Sequence, residues 1–239
     1  MAEAKPAELP ITGYLDRFSA RPGESLAVKI SVPQGGRYRA RLRRVISGDP
    51  NPAGPGLRFE ELSARFDAEF QGRHQPIRLG SYALIPKAPK RAAGPITWTA
   101  LVWFQAQPKG EAVVISEEAG GQRVTLAVGP HGPMAQITWE GGDRQLGLGA
   151  PLPLRRWHRL WLSADPSTGR ILLGAQCIED ASPASIREIS ASGLVLPAGE
   201  GVVMIAARDS SAPTAHLTGK IEEPAILGGF RAEWPRPDQ

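Results

Sequence analysis

Cysteine occurs once in the chain, at Cys177, which excludes an intramolecular disulfide and any zinc site built from several thiolates. Histidine is also sparse: His74, His131, His158 and His216 lie more than 25 residues apart and show no metal-ligand spacing. There is no HExxH, no phosphate-binding glycine loop, no GxSxG and no GxGxxG leading into a helix. A hydrolase needs a positioned base, a nucleophile or metal and an oxyanion stabiliser, and none of these leaves a local trace here. Long apolar runs are missing as well: nothing approaches the ~18 residues that cross a bilayer as a helix. The first ten residues lack the apolar centre of a secretory signal, so the expectation is a soluble, cytoplasmic chain without a membrane partner.

What is abundant is equally informative. Glycine (27) and proline (23) make up about a fifth of the 239 residues. Inside helices proline costs about 3 kcal/mol and glycine about 1, so a helical bundle is excluded. With 41% hydrophobic and 22% charged residues the chain is not disordered as a whole. Arginine outnumbers lysine 22 to six, yet the net charge is only +4. Nucleic-acid binding calls for stronger and more clustered charge, so no such partner is expected.

Short apolar runs alternate with turn residues along the whole chain, the pattern of an all-β protein. Leu26, Val28, Ile30 and Val32 share one face of a strand, with Ser25, Ala27, Lys29 and Ser31 on the other. Residues 11–19 form a strand candidate before it. After the turn Gln34-Gly35-Gly36, residues Tyr38 to Ile46 read as the returning strand of a hairpin with Leu26–Val32. The Gly/Pro-rich loop 47–56 then marks the expected boundary between a small β region (1–54) and a larger β-sandwich (55–230). The later half of 57–70 alternates as a strand. Further strands are expected at 77–85, 96–105, 111–116, 122–128, 134–140, 156–164, 170–176, 201–207 and 218–227. Ser182 and Pro183 look like the cap and first position of one short helix over 183–190. Residues 231–239 read as a tail or linker stub, and no internal repeat is visible.

Three motifs carry a fold-level resemblance. Trp98-Thr99-Ala100-Leu101-Val102-Trp103, Leu154-Arg155-Arg156-Trp157-His158-Arg159-Leu160 and His216-Leu217-Thr218-Gly219-Lys220-Ile221-Glu222 occur in the order of the laminin-G / concanavalin-A-like superfamily. The resemblance implies a jelly-roll β-sandwich and says little about function, because these residues pack the core. A second resemblance starts at the N-terminus, with Ile11 to Arg17, Arg21-Pro22-Gly23-Glu24, Tyr38 to Leu42, Ser47 to Pro52, Gly54-Pro55-Gly56 and Gln75 to Tyr82. These segments resemble the start of the large subunit of N,N-dimethylformamidase. In that family the large subunit continues into a domain with a mononuclear iron held by tyrosine and glutamate side chains. This chain stops where the sandwich closes, so the resemblance implies that iron belongs to a domain absent here. Tyr14, Tyr38 and Tyr82 are not carried over as iron ligands.

Few residues stand out as candidates for contact with other molecules. In the run 37–44, Arg37, Arg39, Arg41 and Arg43 share one strand face, suited to phosphate contacts, to pairing with carboxylates of another domain or subunit, or to lying solvated. Glu60, Glu61, Asp67 and Glu69 are acidic partners within the chain and favour internal or domain pairing. Trp139 and Trp234 are the indoles least committed to a core pattern, and an exposed indole face would stack on a sugar ring. Asp49 and Asn51 supply the only carboxylate and amide side-chain oxygens of the Gly/Pro loop, short of the six to eight oxygens that calcium needs. No catalytic residue, cofactor ligand or metal ligand is assigned. The expected function is a non-catalytic structural and interaction module, docking a catalytic domain or subunits of an amidohydrolase as part of a homo- or hetero-oligomer. The alternatives are a carbohydrate-binding lectin-like module, and one part of an active amide hydrolase whose catalytic domain lies outside this chain.

Overall fold

A computed structural model describes residues 9–51, 53–76, 80–91 and 93–235. Among them no helix forms, and the elements are seventeen strands. The chain divides into two compact units, one up to residue 78 and one from 79 on. The sequence placed this break at 54, inside the loop 47–56. That loop instead closes a hairpin: β4 (Leu42–Gly48) pairs antiparallel with β5 (Leu57–Leu62) across it.

The first unit holds two further pairs. The strand β1 (Thr12–Leu15) pairs with β2 (Val28–Ser31), and β3 (Gly36–Ala40) pairs with β6 (Ala68–Gly72). The expected hairpin between residues 26–32 and 38–46 therefore does not form. In its place Tyr38 lies opposite Phe70 with rings stacked at 5.6 Å, and Arg37 and Arg39 reach Glu69 and Asp67. The alternative hairpin partner is the strand that carries Lys29, which repels arginine.

The second unit is an all-β sandwich. Its first sheet has six strands: β12 (Gly142–Gly147), β11 (Gly132–Trp139), β10 (Gln122–Gly129), β9 (Ala112–Ala119), β16 (Gly201–Ile205) and β7 (Ala83–Ala88), in that spatial order. The second has five: β15 (Ser185–Ser190), β14 (Arg170–Cys177), β13 (His158–Asp165), β8 (Ile96–Trp103) and β17 (Lys220–Gly228). All pairings are antiparallel. Alternate residues from both sheets, among them Trp98, Val102, Leu126, Ile137, Leu160 and Leu173, form one buried core.

Three strands depart from expectation for identifiable reasons. Residues 185–190 form β15, not a helix, because Ile189 and Ile186 lie opposite Ile171 and Gly174, and Glu188 pairs with Arg170 at 2.6 Å. The open edge of β14 outweighs the Ser-Pro helix start. Pro86 sits within β7 instead of ending it. This is an edge strand, and the register shifts between Gly201 and Val203 of its neighbour, where a missing N–H is tolerated. Residues 77–79 of the expected strand lie outside the described residues. Finally, β12 escaped the sequence reading because Gly142-Asp143-Arg144-Gln145 carries no apolar alternation.

Residues 229–235 do not hang free as a linker. Thr97 Oγ1 donates to the Gly229 carbonyl at 2.8 Å, and Ser163 Oγ donates to the Arg231 carbonyl at 2.9 Å. This segment runs over the outer face of the five-stranded sheet, where Trp234 meets the fully buried Trp161 at 6.2 Å. Residues 236–239 of the expected tail lie outside the described residues.

Candidate interaction surface

The arginine run is split between two strand pairs. Arg37 and Arg39 belong to β3, Arg43 to β4, and Arg41 sits at the break between them. Each strand arginine finds an acid on its own partner strand or beside it: Arg37 with Glu69 (3.4 Å), Arg39 with Asp67 (3.0 Å), Arg43 with Glu61 (2.6 Å) and Arg44 with Glu60 (3.1 Å). The charges of this run are thus mostly spent inside the first unit. Arg41 is exposed and has no ion pair with a described residue. Exposed pairs of this kind contribute roughly 0–1 kcal/mol each, so they set register more than stability.

The apolar side chains of the first unit were not singled out by sequence, yet they are its dominant feature. Among the described residues, fourteen of the twenty exposed large hydrophobic side chains lie before residue 78, and only Val32 of that unit joins the buried hydrophobic set. Val45 and Phe59 face each other across the β4–β5 hairpin and both stay exposed, as do Tyr14, Leu15 and Phe18 in the β1 region. A two-stranded sheet is at best marginally stable in water without a covered face. Alternation alone cannot reveal this, because it tells which residues share a face and not whether anything covers that face. All of the net charge also falls here: 13 basic and nine acidic residues precede residue 79, against 15 and 15 after it.

The two tryptophans proposed as sugar platforms are both engaged. Trp139 is 6% exposed and belongs to the sandwich core, lying over Gly142, the residue opposite it on β12, so it offers no free face. Trp234 is half-buried, with the guanidinium groups of Arg159 and Arg231 each 5.1 Å from its ring and Trp161 beside it. Trp139 ends a strand of the six-stranded sheet and Trp234 lies in the segment after the last strand, over the five-stranded sheet, so the two indoles are not brought together. In the loop 47–56, Asp49 accepts from the Asn51 N–H and Asn51 accepts from the Ala53 N–H, both near 3 Å. Turn formation accounts for both side chains. Among the described residues no group of three or more His, Cys, Asp or Glu is placed to hold a metal ion, and no helix is long and apolar enough to cross a membrane.

No protein-family model matches the chain. Two curated proteins are similar to it, both named N,N-dimethylformamidase beta subunit. The one from Paracoccus aminophilus is 35% identical over 109 residues, covering 44% of this chain and 14% of its own length. The one from Alcaligenes sp. is 25% identical over 259 aligned residues, covering 92% of this chain and 32% of its own length. The chain thus spans at most about a third of these relatives. Among solved structures, a SAP-like pentraxin from Limulus polyphemus aligns with a TM-score of 0.43 at 11% identity, over 61% of this chain and 68% of its own. An alginate lyase from Klebsiella pneumoniae aligns with a TM-score of 0.34 at 12% identity, over 57% and 60%.

Proposed function

We propose that this chain is a non-catalytic docking module of an amide-hydrolase assembly related to N,N-dimethylformamidase, with a laminin-G-like sandwich as its self-sufficient body. The first unit is the docking part. The observation that carries this reading is the uncovered apolar surface of that unit, which buries one large side chain of its own among the described residues. Burial stabilises by roughly 25 cal/mol per Å², and three separate strand pairs without a common core gain little of it alone. The similarity to the dimethylformamidase beta subunit over most of the chain supports the choice of assembly. The partner surface is apolar at its centre and acidic at its rim, because the excess of four positive charges sits in the same unit.

Amide hydrogen exchange tests this on the purified chain and on the assembly recovered from source cells through an antibody to the sandwich. Backbone amides of β1 to β6 exchange fast in the isolated chain and become protected in the assembly, while those of β8, β10 and β13 are protected in both. Equal protection of the first unit in both samples would overturn the reading. So would formamide hydrolysis by the purified chain that iron chelation abolishes, since it would place the activity in this chain.

A further inference from the structure

The β1–β2 pair of the first unit carries an open cavity of about 580 Å³. Tyr14 and Lys29 are directly opposed across the two strands, and Thr12 and Ser31 are opposed two positions along. All four residues line the cavity, and the two-residue period of a strand puts their side chains on one face. The rim is fixed by Gln75, whose N–H donates to Ser31 Oγ at 2.9 Å and whose Nε2 donates to the Ile30 carbonyl. Its Oε1 is taken as well, by the Arg73 guanidinium at 3.4 Å.

What stays open is a set of donors. The Lys29 ammonium and the Thr12 and Tyr14 hydroxyls have no hydrogen bond or ion pair with a described residue. Lys29 is the one charged residue among those described around the cavity. Every described carboxylate of the unit is already engaged, by Arg17, by the arginines of β3 and β4, or in the turn at Asp49. An ammonium offers three donors and no acceptor, and an ionised carboxylate only accepts. A free carboxylate ion would meet Lys29 but leave Ile30, Pro76 and the Tyr14 ring, which also line the cavity, against water. A protein segment with an acidic side chain among apolar ones meets both demands. We propose that this cavity takes an Asp or Glu side chain of the assembly partner, held by Lys29 with the Tyr14 and Thr12 hydroxyls donating beside it. This contact rests on the docking role of the first unit and fixes one point of it.

A carbodiimide tests this on the assembly recovered from source cells, because it joins an amine only to a carboxylate already in contact with it. Lys29 is expected to be linked to an Asp or Glu of another polypeptide, read from the cross-linked peptides by mass spectrometry. Acylation of Lys29 by acetic anhydride is expected to be slowed roughly tenfold or more relative to the isolated chain, since a paired amine reacts only while the contact is open. Lys29→Glu reverses an exposed charge and is expected to cut recovery of the partner at least about tenfold. A link from Lys29 to a carboxylate of this chain or of a second copy would overturn the contact. So would slowed acylation with no carbodiimide link, or undiminished partner recovery with Lys29→Glu. Acylation at one rate in both samples, with the amides of β1 to β6 protected in the assembly, removes the contact and leaves the docking role standing. Equal amide protection in both samples removes the two together.

Discussion

Trp98 Nε1 donates to Glu117 Oε2 at 2.7 Å, a buried hydrogen bond that joins the five-stranded sheet to the six-stranded one. Glu117 is 3% exposed, and its other oxygen is taken by the guanidinium of Arg91. Both carboxylate oxygens are thus matched, one by a neutral donor and one by a charge. Removing the acid while keeping the bulk, as in Glu117→Leu, strands a buried indole N–H and a partly buried guanidinium. The expected loss is about 3–5 kcal/mol in urea unfolding, with a smaller loss for Glu117→Gln, which keeps an acceptor for the indole. A Glu117→Leu chain as stable as the parent would show that the cluster is not needed to hold the sheets.

Trp161 and Gly174 make a similar pairing of opposites. They face each other across β13 and β14, and a Cβ at position 174 would overlap the indole ring. The absence of a side chain lets the indole lie flat on the neighbouring strand. Gly174→Ala is therefore expected to lower stability by about 1–3 kcal/mol, although alanine is the better strand residue by entropy. A neutral or stabilising effect in thermal unfolding would contradict the close approach.

Apart from β12 and β15, the sandwich strands were legible from sequence because alternation is a local property and each turn is marked by Gly, Pro or Asp. Pairing in the first unit was not. Choosing β6 over β2 as the partner of β3 depends on Phe70, Glu69 and Asp67 lying some thirty residues downstream, and local periodicity carries no information about such a match. The tryptophans failed for a related reason. Trp139 looked uncommitted because its partner is Gly142, which has no apolar side chain to betray a packed face. The arginine run and its acids Glu60, Glu61, Asp67 and Glu69 were both visible as charge, and the strand pairing decides which arginine meets which acid. The uncovered apolar surface left no sequence signal, since a buried and an exposed apolar face alternate alike.

The covered state of Trp161 depends on Trp234. Trp161 is fully buried although it is absent from the inter-sheet core, and the 229–235 segment lies over its side of the sheet. Trp234→Ala is expected to shift the fluorescence of Trp161 to longer wavelength and to cost about 2 kcal/mol, less than a fully buried tryptophan because Trp234 is half-exposed. Its effect on glycan binding is nil if the ring serves as a cover. Specific glycan binding by the parent that disappears in the variant would restore Trp234 as a sugar platform.

His158 gives the fold a pH dependence with a defined sign. Burial is the main cause that pulls its pKa below the usual 6.5, with the Arg156 carbonyl opposing. The unfolded chain then takes up a proton near pH 6.5 while the folded chain does not. Its contribution is present above pH 6.5 and is lost as pH falls from there toward the lowered folded value. Carboxylates act in a separate window. The Arg170 hydrogen bond lowers the pKa of Glu188, and the Ser167 hydroxyl lowers that of Asp165, so their contributions are lost only below about pH 4. Urea midpoints are expected to decline between pH 7 and 5 in the parent, to stay flat over that range in His158→Phe, and to fall in both chains below pH 4. An unchanged decline between pH 7 and 5 in the variant would assign it to another group and remove His158 as the titrating site.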